Sequence, residues 1–337
     1  MKIEIINNTN NFYESLLSGD YLSLYESAVN NLSRGEFVTS RRINYDEATF
    51  NANMKNVVQA IIFGHPELFF IDPKVAIEYS NRGEAILTFN SLYNKKELED
   101  NNKYLINNIN EIVKELEEHT NKEDIIYALN DYLCLHFTGE NEYTNNNGNA
   151  FGVFLEGKAR CEGFCKIAKL VLDRFNIENI ICTGQIEENG SHSPHAWLAI
   201  KYNDNYYAFD FSFNCSASFS TCPCRAYTFL NNQYLYVGRT SDYSYPITDD
   251  SSLLFWNLHN GETYDLRDLG NADIINFRNN YFSIHHLDLN IDIGDYQITY
   301  EIPNWINENL SPFSYGYTYL FHYLDRLNAL VVYYIND

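Results

Sequence analysis

Three stretches decide how the chain reads: Gly157-Lys158-Ala159-Arg160-Cys161-Glu162-Gly163-Phe164, then Ser193-Pro194-His195-Ala196-Trp197-Leu198-Ala199-Ile200, then Tyr206-Tyr207-Ala208-Phe209-Asp210-Phe211-Ser212-Phe213-Asn214. The first puts a thiol where a helix begins, and the second an imidazole at the head of an apolar strand. The third puts a carboxylate inside the next strand, among aromatic residues. These are the parts of a cysteine nucleophile served by an oriented base.

Phe164, Ile167, Ala168, Val171, Leu172 and Phe175 recur at the spacing of an amphipathic helix that starts close to Cys161. Free N–H groups and the positive dipole end of such a helix favour thiolate over thiol. Gly163 leaves room there for another chain segment or for a substrate. By itself Cys161 reads equally as one more small buried residue. Residues 196–200 and 207–213 are apolar enough for buried strands, and Asn203-Asp204 between them is a two-residue turn signal. With Tyr202 and Asn205 flanking that turn, His195 lies opposite Ser212. Asp210 then shares its face, at a diagonal separation of roughly 7–8 Å. A slip of one residue would put the two on opposite faces. A carboxylate within Phe209-Asp210-Phe211 is costly to bury alone, and an imidazolium is the partner this register offers. Singly, His195 also reads as a strand-end histidine bonded to backbone, and Asp210 as a turn or cap ligand.

Cys161-x-Gly163-Phe164, His195-Ala196-Trp197 and Asp210-x-Ser212-Phe213, led by Gly157-Lys158-Ala159, resemble the transglutaminase-like superfamily of papain-related cysteine enzymes. The resemblance covers about residues 125–213, and His65-Pro66-Glu67-Leu68-Phe69-Phe70 is similar to a phrase in the N-terminal unit of clostridial-type bacterial members. It implies an α+β fold, with the nucleophile's helix packed on an antiparallel sheet. It implies Cys161 as nucleophile, His195 as base and acid, and Asp210 as the group that orients His195. The expected reaction is attack on a peptide or glutamine-type amide carbonyl, giving a thioester resolved by water or by an amine. No metal or organic cofactor is required. The backbone N–H of Cys161 is the first oxyanion donor. The Gln that papain-like enzymes carry upstream is missing around Leu155, which leaves Asn147, Asn149 or Tyr143 for the second. Gly163 and Trp197 are expected at the substrate cleft, with packing the equal alternative for Trp197. Leu198, Cys165 and Phe213 depart from the commoner Asn, Ala or Ser, and Trp. The competing reading is a binding or scaffold module that kept the fold without turnover.

Outward from this centre, 337 residues suffice for two or three units with real cores. The expected units are an α+β accessory unit over residues 1–120, the catalytic unit over 121–235, and a β-rich unit over 236–337. Helices are expected around Phe12 to Tyr25, after Asp46, from Lys95 to His119 and from Ile125 to Phe137. Strands are expected at 75–79, 84–89, 234–237, 252–256, 284–293, 296–300 and 330–333, with a helix near 317–327. Residues 138–149 are polar and Gly-containing, a loop placed to shape substrate access. A net charge of −22 repels phosphate backbones, so nucleic acid is not expected as a partner; a protein or peptide substrate is. Seven cysteines in so large a chain do not suggest a disulfide framework. The start of the chain lacks a secretion signal and no segment is long enough to span a membrane, so the expected setting is cytoplasmic. Cys215, Cys222 and Cys224 with His192 are too irregularly spaced for a structural zinc site, and free thiols are the preferred reading. Asp288-Leu289-Asn290-Ile291-Asp292-Ile293-Gly294 has its Gly one place late for a calcium loop and lacks the closing Glu, so it reads as a strand.

Overall fold

Apolar residues from Phe12 to Tyr25 predict one helix, but Gly19 takes φ 54° and divides it. The computed structural model therefore shows α1 (Phe12–Ser15) and α2 (Gly19–Ser33). It describes residues 3, 5, 12–188, 190–218, 223–254 and 326, and the backbone of residues 282–286, 317–324 and 329–336. Strand β1 (Val38–Arg42) follows, and then α3 (Phe50–Gly64). Asp46 shapes the turn into α3: its carboxylate accepts from the Ala48 N–H at 3.2 Å and the Thr49 hydroxyl at 2.8 Å. Strands β2 (Ala76–Tyr79) and β3 (Glu84–Thr88) pair with β1 in the order β1-β3-β2. The acidic helix α4 (Leu98–Leu116) buries Leu105, Ile109, Ile112 and Leu116, the stripe its spacing predicts. Asn121 caps α5 (Lys122–His136), accepting from the Asp124 N–H.

The run from Thr138 is not all loop. After the two-residue strand β4 (Thr138–Gly139), a short helix α6 (Ala150–Glu156) forms. The Asn149 side chain caps it at one end, and Gly157 ends it at φ 66°. Strand β5 (Lys158–Ala159) pairs with β4 and leads into α7 (Cys161–Arg174). Then come β6 (Asn179–Glu188), β7 (Ser191–Tyr202) and β8 (Asn205–Phe209), all antiparallel. Asn203 and Asp204 both sit at positive φ, as a two-residue hairpin turn requires. Two short helices, α8 (Phe211–Ala217) and α9 (Asn232–Leu235), precede β9 (Arg239–Ser241). Residues 234–237 thus hold the end of a helix and not a strand. The site sheet has the order β8-β7-β6-β9. Because β9 and the bridge from Tyr206 to Ile247 belong to that sheet, the expected boundary near residue 236 cuts through it.

The C-terminal strands β10 (Phe282–His286), β11 (Tyr317–Leu324) and β12 (Ala329–Asn336) form a separate antiparallel sheet, ordered β10-β12-β11. Residues 317–324 are therefore strand where a helix is expected. The strands expected at 287–293 and 296–300, with the calcium-like segment, lie outside the described residues.

Apolar side chains from both sides of residue 120 join one core. Tyr13 of α1 donates to the Ile181 carbonyl at 2.8 Å. In the His65 to Phe70 phrase, Leu68, Phe69 and Phe70 are buried, and His65 is held between the Tyr25 hydroxyl at 2.7 Å and Glu67 at 2.9 Å. No helix among the described residues is long and apolar enough to cross a membrane.

β9 approaches β6 closely because Gly184 has no side chain. A Cβ there would overlap the Thr240 carbonyl and touch the Trp197 ring. Gly184→Ala is expected to push β9 off the sheet and cost about 1–3 kcal/mol, read as a lower urea midpoint.

Candidate active site

The head of α7 is built to leave its first turn open. Its N-cap is Arg160, whose side chain makes no capping bond. The first-turn N–H groups, Cys161's among them, have no intrahelical acceptor and point toward the cleft end of the helix. Arg160 itself is anchored by its N–H donating to the Asn147 carbonyl at 2.8 Å. Gly163 serves the same packing: a Cβ there would strike the Asn147 carbonyl and Val153. The segment that Gly163 admits is thus the protein's own loop and not a substrate.

His195 begins the buried half of β7, after four exposed residues. The hairpin register agrees with expectation as far as Leu198 opposite Phe209. There β8 stops. Ser212 does not pair with His195, because Asp210 turns the chain into α8 as its N-cap. One Asp210 oxygen, Oδ1, accepts from the Ser212 hydroxyl at 2.7 Å and the Phe213 N–H at 3.0 Å. The other, Oδ2, meets His195 Nε2 at 2.7 Å. The carboxylate is therefore both a helix cap and the partner of the imidazole. Cys161 stands on the same cleft wall as His195, near enough for its charge to act on the ring. The structure thus brings Cys161, His195 and Asp210 together from α7, β7 and the β8–α8 junction.

Sequence reasoning missed one member. Arg239 on β9 places Nη2 2.7 Å from Asp210 Oδ2, with both side chains about 1% exposed. A three-residue strand has too little periodicity to announce itself, so no local pattern marks this arginine.

Burial works against the imidazolium of His195. The charge and hydrogen bond of Asp210, with Cys161 alongside, outweigh it and raise its pKa to about 9. Burial alone would likewise raise Asp210. The charges of His195 and Arg239 and the hydrogen bonds of His195 and Ser212 hold it well below the ordinary carboxylate range. One turn beyond Cys161, burial pushes the Cys165 thiol well above its ordinary value.

Phe213 of α8 packs on His195 at 4.9 Å between ring centroids, and Trp197, two residues along β7, stacks on it at 6.4 Å. Trp197 is fully buried and does not line the cleft, so it packs and does not form a substrate wall. The cleft encloses about 480 Å³, and Glu140, Asn141, Arg160, Cys161, His195 and Phe213 are on its wall. The start of the 138–149 loop does border it. The Asn147 amide donates to the Glu142 carbonyl at 2.6 Å, and that of Asn149 to the Asn145 carbonyl at 2.7 Å. Both amides are committed to the loop. Tyr143 is exposed under the Arg160 guanidinium, 5.6 Å from its ring, and is not on the cleft wall. The described residues offer no group of three metal-ligating side chains. Cys215 donates to the Phe137 carbonyl at 3.2 Å, and Cys224 is buried, while Cys222 lies outside the described residues.

Because its pKa is raised on folding, His195 contributes stability fully below about 6.5 and loses that contribution as pH rises through about 9. Asp210, with a lowered pKa, contributes above its ordinary 3.8 and loses that only in stronger acid. The urea midpoint of the wild type relative to His195→Gln is expected to be highest between these limits and to decline from pH 7 to 10. A difference that stays level across that range would contradict the charged pair.

No protein-family model matches the chain, and no curated protein does. Among solved structures, it is similar to a candidate cysteine protease from Cytophaga hutchinsonii, at 13% identity and a TM-score of 0.29, over 41% of this chain and 61% of that one. It is also similar to a protein described as a TGase, at 18% identity and a TM-score of 0.27, over 51% of this chain and 49% of that one. The chain spans less than two thirds of either structure, and at these scores the side-chain geometry alone bears on chemistry.

Proposed function

We propose that the chain is a cysteine hydrolase or acyltransferase of the transglutaminase-like class, acting on peptide or glutamine-type amide bonds. The observation that carries this reading is the buried Asp210–His195 contact of 2.7 Å beside a half-buried Cys161 at an uncapped helix start, with Cys161 and His195 on the wall of one cleft and Asp210 behind it. Burying a carboxylate and an imidazole in a cleft wall costs stability that packing alone does not require.

In this reading His195 Nε2 is held by Asp210, which leaves Nδ1 for Cys161. Nδ1 takes the thiol proton, giving the thiolate–imidazolium pair that the raised pKa of His195 favours, and Sγ attacks the carbonyl carbon. The S–C bond forms while the C=O pair moves onto oxygen, which the Cys161 N–H stabilises. The oxyanion collapses, the C–N bond breaks, and His195 returns its proton to the leaving nitrogen. The thioester remains. Water then attacks, gives its proton to His195 and releases a carboxylic acid with the thiol restored. An amine in place of water would form a new amide. An open cleft admits water without a dedicated amine site, so hydrolysis is the favoured outcome.

Wild-type protein is expected to react rapidly with iodoacetamide at Cys161, and Cys161→Ala to lose that label and all turnover of peptide amides. His195→Ala is expected to lower turnover by about 10²–10⁴-fold. An ordinary thiol reactivity at Cys161, with no thioester adduct from a library of Gln-containing peptides, would instead identify a binding module.

A further inference from the structure

His195 and Arg239 converge on a single oxygen. Each sits 2.7 Å from Asp210 Oδ2, while Oδ1 is occupied by Ser212 and the Phe213 N–H. Two cations thus share one anionic atom that is itself buried from solvent. We propose that Arg239 is a positioning residue of this site: its guanidinium fixes the plane of the Asp210 carboxylate and tempers how tightly that carboxylate holds a protonated His195. The term rests on the reading of Cys161 and His195 as nucleophile and base.

Several features hold Arg239 in this place. Its guanidinium carbon lies 4.7 Å over the Phe213 ring and 5.8 Å over that of Trp197, the two aromatics that also flank His195. Strand β9 brings it in across Gly184, where no larger residue fits. The preceding Gly238 has φ 60°, and its carbonyl accepts from the Glu187 N–H and from Arg326, each at 2.9 Å. The grip is one-sided. Nη1 has no hydrogen-bond partner among the described residues, so one arm of the guanidinium is left unpaired beside the carboxylate. Such a contact suits a residue that sets charge at Oδ2 better than one that merely ties two strands together.

A second cation on the same oxygen weakens the hold of Asp210 on imidazolium. Deacylation needs this restraint, because His195 must become neutral to take a proton from water. Around the ring, α7 contributes Cys161, with Cys165 nearer Asp210, and the α8 end contributes Asp210. β9 contributes Arg239 and the turn after β11 contributes Arg326, 5.6 Å from the Phe213 ring. Arg160 and Glu140 face it across the cleft. Of these, Arg239 is the cation in direct contact with Asp210.

The test follows the His195 resonances by NMR titration in protein with labelled histidine, His195→Gln serving for assignment. Arg239→Gln keeps a donor for Oδ2 but removes the charge, and is expected to raise the His195 midpoint by about one pH unit. Arg239→Lys keeps a charge on a shorter, non-planar chain and is expected to fall between that variant and wild type. Should Arg239→Gln not fold, Arg239→Lys alone must show an upward displacement. A wild-type midpoint in the folded variants overturns the proposal and leaves Arg239 as a structural tie. The titration needs no turnover. Slow alkylation of Cys161 together with the expected His195 shift would therefore sink the enzymatic reading while the electrostatic role stands.

Discussion

A carboxylate removed from water must be surrounded by donors, and Asp210 has four of them. Ser212 and Phe213 come from its own helix, His195 from the neighbouring strand and Arg239 from the far edge of the sheet. Meeting this one requirement explains much of the local architecture. β8 ends at Phe209 because the next residue caps α8 and cannot continue a strand ladder. β9 returns to the sheet edge, where it supplies the remaining cation. The imidazole ring is oriented as a consequence, with Nε2 held by Asp210.

Two thiols one helical turn apart sit in opposite environments. Cys161 stands at the uncapped start of α7 on the cleft wall, beside His195. Cys165 is buried among apolar neighbours, and burial disfavours its thiolate. The arginine at the N-cap belongs to the same arrangement. A serine or aspartate there would cap the N–H of Glu162 or Gly163 with its own oxygen, whereas Arg160 makes no such bond.

The N-terminal helices are part of the support for this site. They share its core, and α1 reaches the site sheet through the Tyr13 hydroxyl at Ile181 and a contact of 2.8 Å with Tyr245. Phe213 is bordered by His195 on one side and by two guanidinium groups, those of Arg239 and Arg326. Arg326 also donates to the Val237 and Gly238 carbonyls, so it rests on the segment that delivers Arg239. Contacts of this kind tie the geometry around His195 and Asp210 to parts of the chain remote from it in sequence.

What could be read from residues alone was what short-range forces decide. Helical spacing after Cys161, the Asn203-Asp204 turn and the register it imposes, and the cost of burying Asp210 unpaired all act within a few residues. Other features depended on partners brought from elsewhere. Residues 317–324 pair with β12 and so become a strand, although their aromatic run fits a helix equally well. Gly163 and Trp197 were assigned to the cleft, but the loop carbonyl of Asn147 and the packed sheet claim them. Asp210 left its strand and acquired Arg239 only when β9 closed against β6. A buried charge states locally that it needs counterparts, but which counterparts arrive is decided by the path of the whole chain.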